Sequence, residues 1–418
     1  MESRGKMKVG TVRMAVAALC AAALLTGAHA LDGEAAAGST VPINGSVTVG
    51  TLVSLTGTSS SGEEAEAAIN LGISDFNAYL SEMGAGWQME TISRDTATDP
   101  EVAREAIRAL HEEEDITVIL GPVTSANVDA VREYVDQNGM VSLSCCSSAP
   151  SLAIPDDGVY RLVPDDSGQG VALSKVLEEA GIDALVTIWR GDAYGDGVWM
   201  SVSDEFEERG GVVYAGIRYS PHTPEMSQEV ALLNEYVKEA IVRYGADRVA
   251  VIMISFEESR KIARAAIQYD VLDDVRWFAS ESVTLDSGLP EDGTASTFAE
   301  SVGLTAAEIL LAPGERHGYV REAMTAELDR EPSVVVYTAY DSAWMVGLAM
   351  IEAGSTEAAR IGEALQAVAA GYDGAIRYDG LNESGDLLPT AHKITRLMDG
   401  AWVQVGTYLA ETDTLAEN

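Results

Sequence analysis

Cysteine is nearly missing from this chain: there are three in 418 residues. Cys20 lies in an N-terminal apolar segment, which leaves only the adjacent pair Cys145 and Cys146. Adjacent cysteines rarely bridge each other, so a disulfide framework is excluded even in a compartment that would permit one. No second CxxC and no nearby histidine accompany the pair, so a small buried pair is expected there, not a metal or redox centre. Histidine is scarce as well: His29, His111, His222, His317 and His392 are scattered. There is no HExxH, no G-x-S-x-G elbow and no GxxxxGK[ST] loop, so catalysis finds little support and neither cofactor nor metal is expected. Basic residues are few, 27 against 66 acidic ones. Such an acidic surface disfavours nucleic acid and other polyanions. The acids are spread along the whole chain, which reads as a solvated coat suited to a salty environment, where screening limits self-repulsion.

Long apolar runs are also wanting, with one exception at the start. Arg4, Lys6, Lys8 and Arg13 precede an apolar segment, Met14 to Leu25, and then Ala28-His29-Ala30. A charged start, a short apolar core and a small-x-small site make residues 1–30 a signal peptide, cleaved after Ala30. An uncleaved membrane anchor is the competing reading. Leu19 stands before Cys20 where a lipid-attachment signal wants a small residue. Cleavage leaves 23 basic and 65 acidic residues, a net charge of about −42. Localisation is therefore extracytoplasmic, on the periplasmic or cell-surface side, with membrane association only through a retained anchor. Residues 31–45 lack periodicity and read as a flexible leader.

What is present is a repeated alternation of strand and helix. The stretch Ile116 to Leu152 holds two apolar runs, Ile116–Leu120 and Met140–Leu143, each ending in a small-residue, hydroxyl-rich turn. Between them Val128, Val131 and Val135 mark a helix. A right-handed crossover returns the chain in the same direction, so both turns open on one edge of a parallel sheet, where ligands of open α/β sheets bind. Thr124-Ser125 and Ser144–Ala149 thus make an anion cradle. The strand–helix order is kept twice, before and after about Pro164. The fold class is therefore α/β: two doubly wound parallel-sheet lobes joined by a three-strand hinge. Lobe 1 is expected over 46–164, completed by 306–374. Lobe 2 is expected over 165–305, completed by 375–410, with 411–418 as a tail. Ser301 to Leu311 reads as an extended crossover, and Asp341 as a cap or hinge acid. Trp189 and Tyr219 read either as cleft lining or as core.

The landmarks VGTLVSLTG, ILGPVTSA, VSLSCCSSAPSLA, YRLVPDDSGQG, GDAYGDG, VVVYTAYDSAWM and YDGAIRYDGLNESGD, in that order and spacing, resemble the type 1 periplasmic binding proteins. The branch is that of the leucine/isoleucine/valine-binding proteins of ABC importers, and the resemblance covers about Val47 to Val405. It implies that Ser125 gives a hydroxyl to a ligand carboxylate. Cys146 would lend a backbone carbonyl, and Ser148 a hydroxyl and N–H. Asp166 would stand at the cleft rim, Tyr194 would close over the ligand, and Phe256 would supply another aromatic. Glu281 would pair with the ligand α-ammonium. Ser61 departs from relatives that place a bulky aromatic against the ligand side chain, which leaves that pocket unspecified.

The physics of these positions agrees with an α-amino acid, since a buried carboxylate needs hydroxyl and N–H donors and a buried ammonium needs a carboxylate. The expected function is an extracytoplasmic solute-binding protein of an ABC importer. It would bind a branched-chain or related amino acid by hinge closure, as a monomer, and deliver it to a membrane permease. The alternative is a ligand-sensing receptor of the same fold that binds an amide, urea or a similar small molecule.

Overall fold

The computed structural model describes residues 43–58, 61–388 and 391–417. The expected signal peptide, and the leader as far as residue 42, lie outside the described residues. The first five strands are β1 (Gly45–Val53), β2 (Trp87–Asp95), β3 (Val118–Leu120), β4 (Val141–Ser144) and β5 (Val159–Arg161). They form one parallel sheet in the order β2-β1-β3-β4-β5. β3 and β4 are buried throughout, as expected of parallel strands covered on both faces by helices.

The second sheet holds β6 (Ala184–Arg190), β7 (Val212–Tyr219), β8 (Val249–Ile254), β9 (Arg276–Ala279) and β10 (Thr305–Leu310). It also takes the closing strands β11 (Ala391–Met398), β12 (Ala401–Leu409) and β13 (Thr414–Glu417). Its order is β13-β12-β11-β10-β9-β8-β6-β7. Strands β7-β6-β8-β9-β10 therefore repeat the first sheet's winding, and three antiparallel strands extend the far edge. Each sheet reverses winding once, between β1 and β3 and between β6 and β8. A crevice opens outside the carboxyl ends of the strands at such a switch point.

Three expected boundaries are corrected. β10 pairs with β9 and β11, so residues 305–310 belong to lobe 2 and the chain returns to lobe 1 only after Leu310. The segment from Ala375 to Leu387 stays with lobe 1: Ala375, Ile376, Tyr378 and Leu387 are buried in its core. The expected tail contains β13, paired with β12. The chain thus crosses between lobes near 162–166, near 311–316 and around 388–391; Pro389 and Thr390 of the third passage lie outside the described residues.

Lobe 1 is centred on the helix Val334–Ala353, which packs along the helix Ser61–Glu82. Val334–Ala353 is 20 residues long and contains an 18-residue stretch of mean hydropathy 1.4, long and apolar enough to cross a membrane, yet 83% of that stretch is buried inside the fold. It is apolar on most of its faces because neighbours cover most of its length. Close approach is set by Gly72, where a Cβ would sit 2.6 Å from the Tyr340 carbonyl. Phe76 meets Trp344 edge-on at 5.3 Å, and burying such a side chain contributes about 1.5–3 kcal/mol. Asp341 is not a cap, since Ser333 caps this helix. It sits mid-helix, fully buried, and accepts from the Tyr372 hydroxyl and from the N–H groups of Ala375 and Ile376, each at 2.8 Å. It therefore fastens the 372–376 passage to the core. Trp189 and Tyr219 are core: Trp189 stacks on Trp199 at 4.6 Å, and Tyr219 is buried in lobe 2.

Candidate functional site

The turns at the two switch points face each other across a cavity that both lobes line. Ser125, Cys146, Ser148, Asp166, Tyr194, Phe256 and Glu281, drawn from segments far apart in the chain, all line it. The lobes touch around its rim. Glu257 N–H donates to the Thr58 carbonyl at 3.4 Å. Asp166 N–H donates to the Ser148 carbonyl at 2.8 Å, and Ser148 Oγ donates to Asp166 Oδ2 at 2.8 Å.

The lobe 1 wall carries no charge of its own. The helix Ser125–Gln137 begins at the cavity with Thr124 at its N-cap. Its first N–H groups and the macrodipole place partial positive charge there. Ser125 Oγ accepts from Ser147 Oγ, Ser148 N and Ala149 N, each at 3.2 Å. Three donors at that length share the two lone pairs of one hydroxyl oxygen, so the proton is what Ser125 has left to donate. Thr124 lines the same cavity, and its buried Oγ1 has no hydrogen-bond partner among the described residues. The sequence placed Thr124 in the anion cradle as half of a hydroxyl pair, without singling it out as a ligand-binding residue.

Behind this wall stands Arg161, fully buried. Its Nη1 donates to the carbonyls of Ala149 at 2.8 Å and Ser147 at 3.4 Å. Its Nε and Nη2 reach both oxygens of Asp386 at 2.5 and 2.6 Å. The hydroxyl turn is thereby clamped to the segment that leads into the third crossing.

The same turn holds a correction. Cys145 and Cys146 are joined in a disulfide between adjacent residues. The general rarity of such bonds gave way to a turn already fixed on both sides. Ser144 Oγ donates to the Pro122 carbonyl at 2.6 Å and accepts from Ser147 N–H at 3.1 Å, on either side of the pair.

The lobe 2 wall is acidic and aromatic. Tyr194 lies on the helix Ala193–Glu208, capped by Asp192, whose carboxylate accepts from Gly195 N–H at 2.9 Å. Its ring meets Phe256 with centroids 5.2 Å apart. Arg190, buried, lays its guanidinium 3.7 Å from the Phe256 ring and binds Asp192 at 2.7 Å and Glu258 at 3.0 Å. Glu258 in turn accepts from Phe256 N–H at 2.9 Å. One arginine thus orients both aromatics.

Among the described residues, five acids line the cavity: Glu257 and Asp286 share Arg260, while Asp165, Asp166 and Glu281 make no ion pair with it. Burial pushes the Asp166 carboxyl up to about 7, against the lowering pull of Ser148 and Arg161. Burial, then the charges of Glu308 and Asp166, push Glu281 up to about 8. A hydrogen-bond chain links the two: Gln169 Nε2 donates to Asp166 Oδ1 at 2.9 Å, and Glu281 N–H donates to Gln169 Oε1 at 3.1 Å. Among the described residues, Glu281 Oε1 accepts one long bond, 3.3 Å, from Ile309 N–H. Two carboxyl groups that resist ionisation when the cavity is empty favour a cation between them. Gln169 was not expected in the site, nor was His392, which lines the cavity with a buried Nδ1 that has no hydrogen-bond partner among the described residues. Burial holds this imidazole down to about 4, so it stays neutral. Among the described residues, no group of three or more His, Cys, Asp or Glu is placed to hold a metal ion.

Residues 46–399 match the family described as Periplasmic binding protein, and the chain belongs to that family of binding proteins. Among curated proteins it is 28% identical over 219 residues to the uncharacterized protein MJ1266 of Methanocaldococcus jannaschii, an alignment that covers 51% of each chain. It is 24% identical over 366 residues to the chemotactic signal transduction system substrate-binding protein BasB of Halobacterium salinarum, covering 83% of this chain and 80% of that one. Among solved structures, the leucine binding protein LivK of Thermotoga maritima superposes with a TM-score of 0.72 at 18% identity, over 88% of this chain and 99% of that one. A solute binding protein of an ABC transporter from Rhodopseudomonas palustris, in complex with 3,4-dihydroxybenzoic acid, gives 0.69 at 18% identity, over 89% and 98%. The two-lobed α/β fold is that of the type 1 periplasmic binding proteins.

Proposed function

We propose that this chain is an extracytoplasmic solute-binding protein that captures an α-amino acid with an apolar side chain and hands it to an ABC permease. The observation that carries the reading is the opposition of the two walls. A helix N-terminus with the hydroxyls of Thr124 and Ser125 faces the carboxyl groups of Asp166 and Glu281 across one cavity. A zwitterion satisfies both sides at once, its carboxylate on the first and its ammonium on the second. Because each end engages a different lobe, the ligand favours the closed state over an open one. An aromatic acid, the ligand of one fold neighbour, would fill the first half and leave two carboxyl groups without a cation. The leucine binding protein among the fold neighbours supports the amino-acid choice.

Calorimetry of the secreted protein against L-leucine, L-isoleucine, L-valine, L-glutamate, benzoate, acetamide and urea tests this. Binding by the branched-chain amino acids, and none by benzoate or urea, is expected. No binding by any amino acid would sink the reading. A second reading, ligand sensing in chemotaxis, is favoured by the likeness to BasB over most of both chains. A transducer gene beside this one in place of a permease gene would select it.

A further inference from the structure

Both sulfurs of the Cys145–Cys146 disulfide belong to residues that line the ligand cavity. The turn that carries them has spent its neighbouring polar groups on structure. Ser144 Oγ takes Ser147 N–H, Ser125 Oγ takes the N–H groups of Ser148 and Ala149, and Arg161 takes the carbonyls of Ser147 and Ala149. The side chains that the turn offers the cavity at 145 and 146 are therefore sulfur. Val123, Val334, Val335 and Leu285 add apolar surface to the same cavity. Two free thiols would each rotate and each present a weak donor. A bond between adjacent residues closes a small ring that fixes both side chains and the peptide between them, and leaves a polarizable face without a donor.

We propose that the Cys145–Cys146 disulfide is a specificity-determining wall of the cleft: it holds the hydroxyl turn in shape and packs its sulfur face on an apolar ligand side chain, so ligand affinity depends on the bond being formed. The inference rests on the reading of this cavity as an amino-acid site. Breaking the bond needs a reductant, and a water-soluble phosphine supplies the electrons. Phosphorus attacks one sulfur, the S–S bond breaks, and water provides the oxygen of the phosphine oxide and the protons of the two thiols.

The protein is purified as secreted, without reductant. The peptide carrying Cys145 and Cys146 is then expected two hydrogens lighter than its reduced form, with no uptake of iodoacetamide. Two alkylated cysteines there would overturn the proposal whatever the ligand. Calorimetry with L-leucine then compares the oxidised protein, the phosphine-reduced protein and the double variant Cys145→Ser/Cys146→Ser. Loss of a preorganised wall is expected to weaken binding about tenfold in both altered forms. Equal affinity in all three overturns the proposal. Hydrogen exchange at the 146–149 amides of the empty protein is expected to quicken on reduction. Should L-leucine bind none of the three, the amino-acid reading fails on its own. Exchange then decides about the wall: quickening keeps it, and unchanged rates remove it.

Discussion

Behind each wall of the cleft sits a buried arginine, and the two walls use charge in opposite ways. In lobe 1, Arg161 is paired with Asp386 through both oxygens and also clamps the carbonyls of Ser147 and Ala149. Its charge is consumed in structure, and the surface it supports is neutral: hydroxyls, helix amides and sulfur. In lobe 2, Arg190 is consumed in the same way by Asp192 and Glu258, but Asp166 and Glu281 are left in the wall itself without an arginine of their own. Their raised ionisation range records the cost of that arrangement. A neutral wall with N–H and O–H donors awaits an anion, and an undercompensated acidic wall awaits a cation. The amino-acid proposal therefore rests on the difference between the walls more than on either wall alone.

If the first wall's charges are structural, breaking them should unfold the lobe before it spoils recognition. Arg161→Ala leaves Asp386 buried without its partner and frees two carbonyls of the turn. The expected loss is about 3–5 kcal/mol of stability, read as a lowered urea midpoint. A variant as stable as the parent would show that Arg161 does not brace this wall. The second wall should behave the other way. Glu281→Gln keeps the shape and the Ile309 contact but removes the charge. It should unfold at the same urea concentration or higher, because the empty site no longer holds an awkward acid. L-leucine binding should weaken about 100-fold. Unchanged affinity would take Glu281 out of the ammonium site.

The first wall was the more legible in sequence, for a physical reason. Ser125, Cys146 and Ser148 lie within one strand–turn–helix–strand–turn unit, whose apolar runs and small-residue turns are local signals. Parallel winding then places both turns at one sheet edge. The second wall has no such unit. Tyr194, Phe256 and Glu281 end three separate βα segments, and only their likeness to family motifs singled them out. Thr124 was visible as a hydroxyl of the cradle but not as one without a partner among the described residues. His392 was dismissed as one of five scattered histidines. It reaches the cleft because β11 returns antiparallel beside β10, pairing His392 with Ile309, and no local pattern announces a pairing over that distance. The same long-range pairing hid β10 as a crossover. The disulfide was missed because a statistical habit of adjacent cysteines was allowed to stand for the geometry of one turn.

Acidification offers the finest probe of the contrast, since only one wall should respond. In the empty protein, Asp166 and Glu281 favour the fold while protonated. That contribution is complete below the ordinary carboxyl range and is lost as pH rises through about 7 and about 8. A bound ammonium reverses the preference, because it needs the carboxylates ionised. Ligand binding near pH 6 must therefore expel a proton from Glu281 that binding above pH 8 need not. Affinity for L-leucine is expected to fall about 50-fold for the first unit of acidification below pH 7, about ninefold of it from Glu281 and about fivefold from Asp166. Calorimetry in buffers of different ionisation enthalpy should register the released proton directly. The neutral wall, with hydroxyls and amides that do not titrate in this range, should add nothing to the slope. In Glu281→Gln the remaining dependence should shrink to that of the other acids of this wall, Asp166 foremost. A parent protein whose affinity is flat from pH 6 to pH 8 would mean that the acids face no ligand cation, and the division of labour between the walls would fall with it.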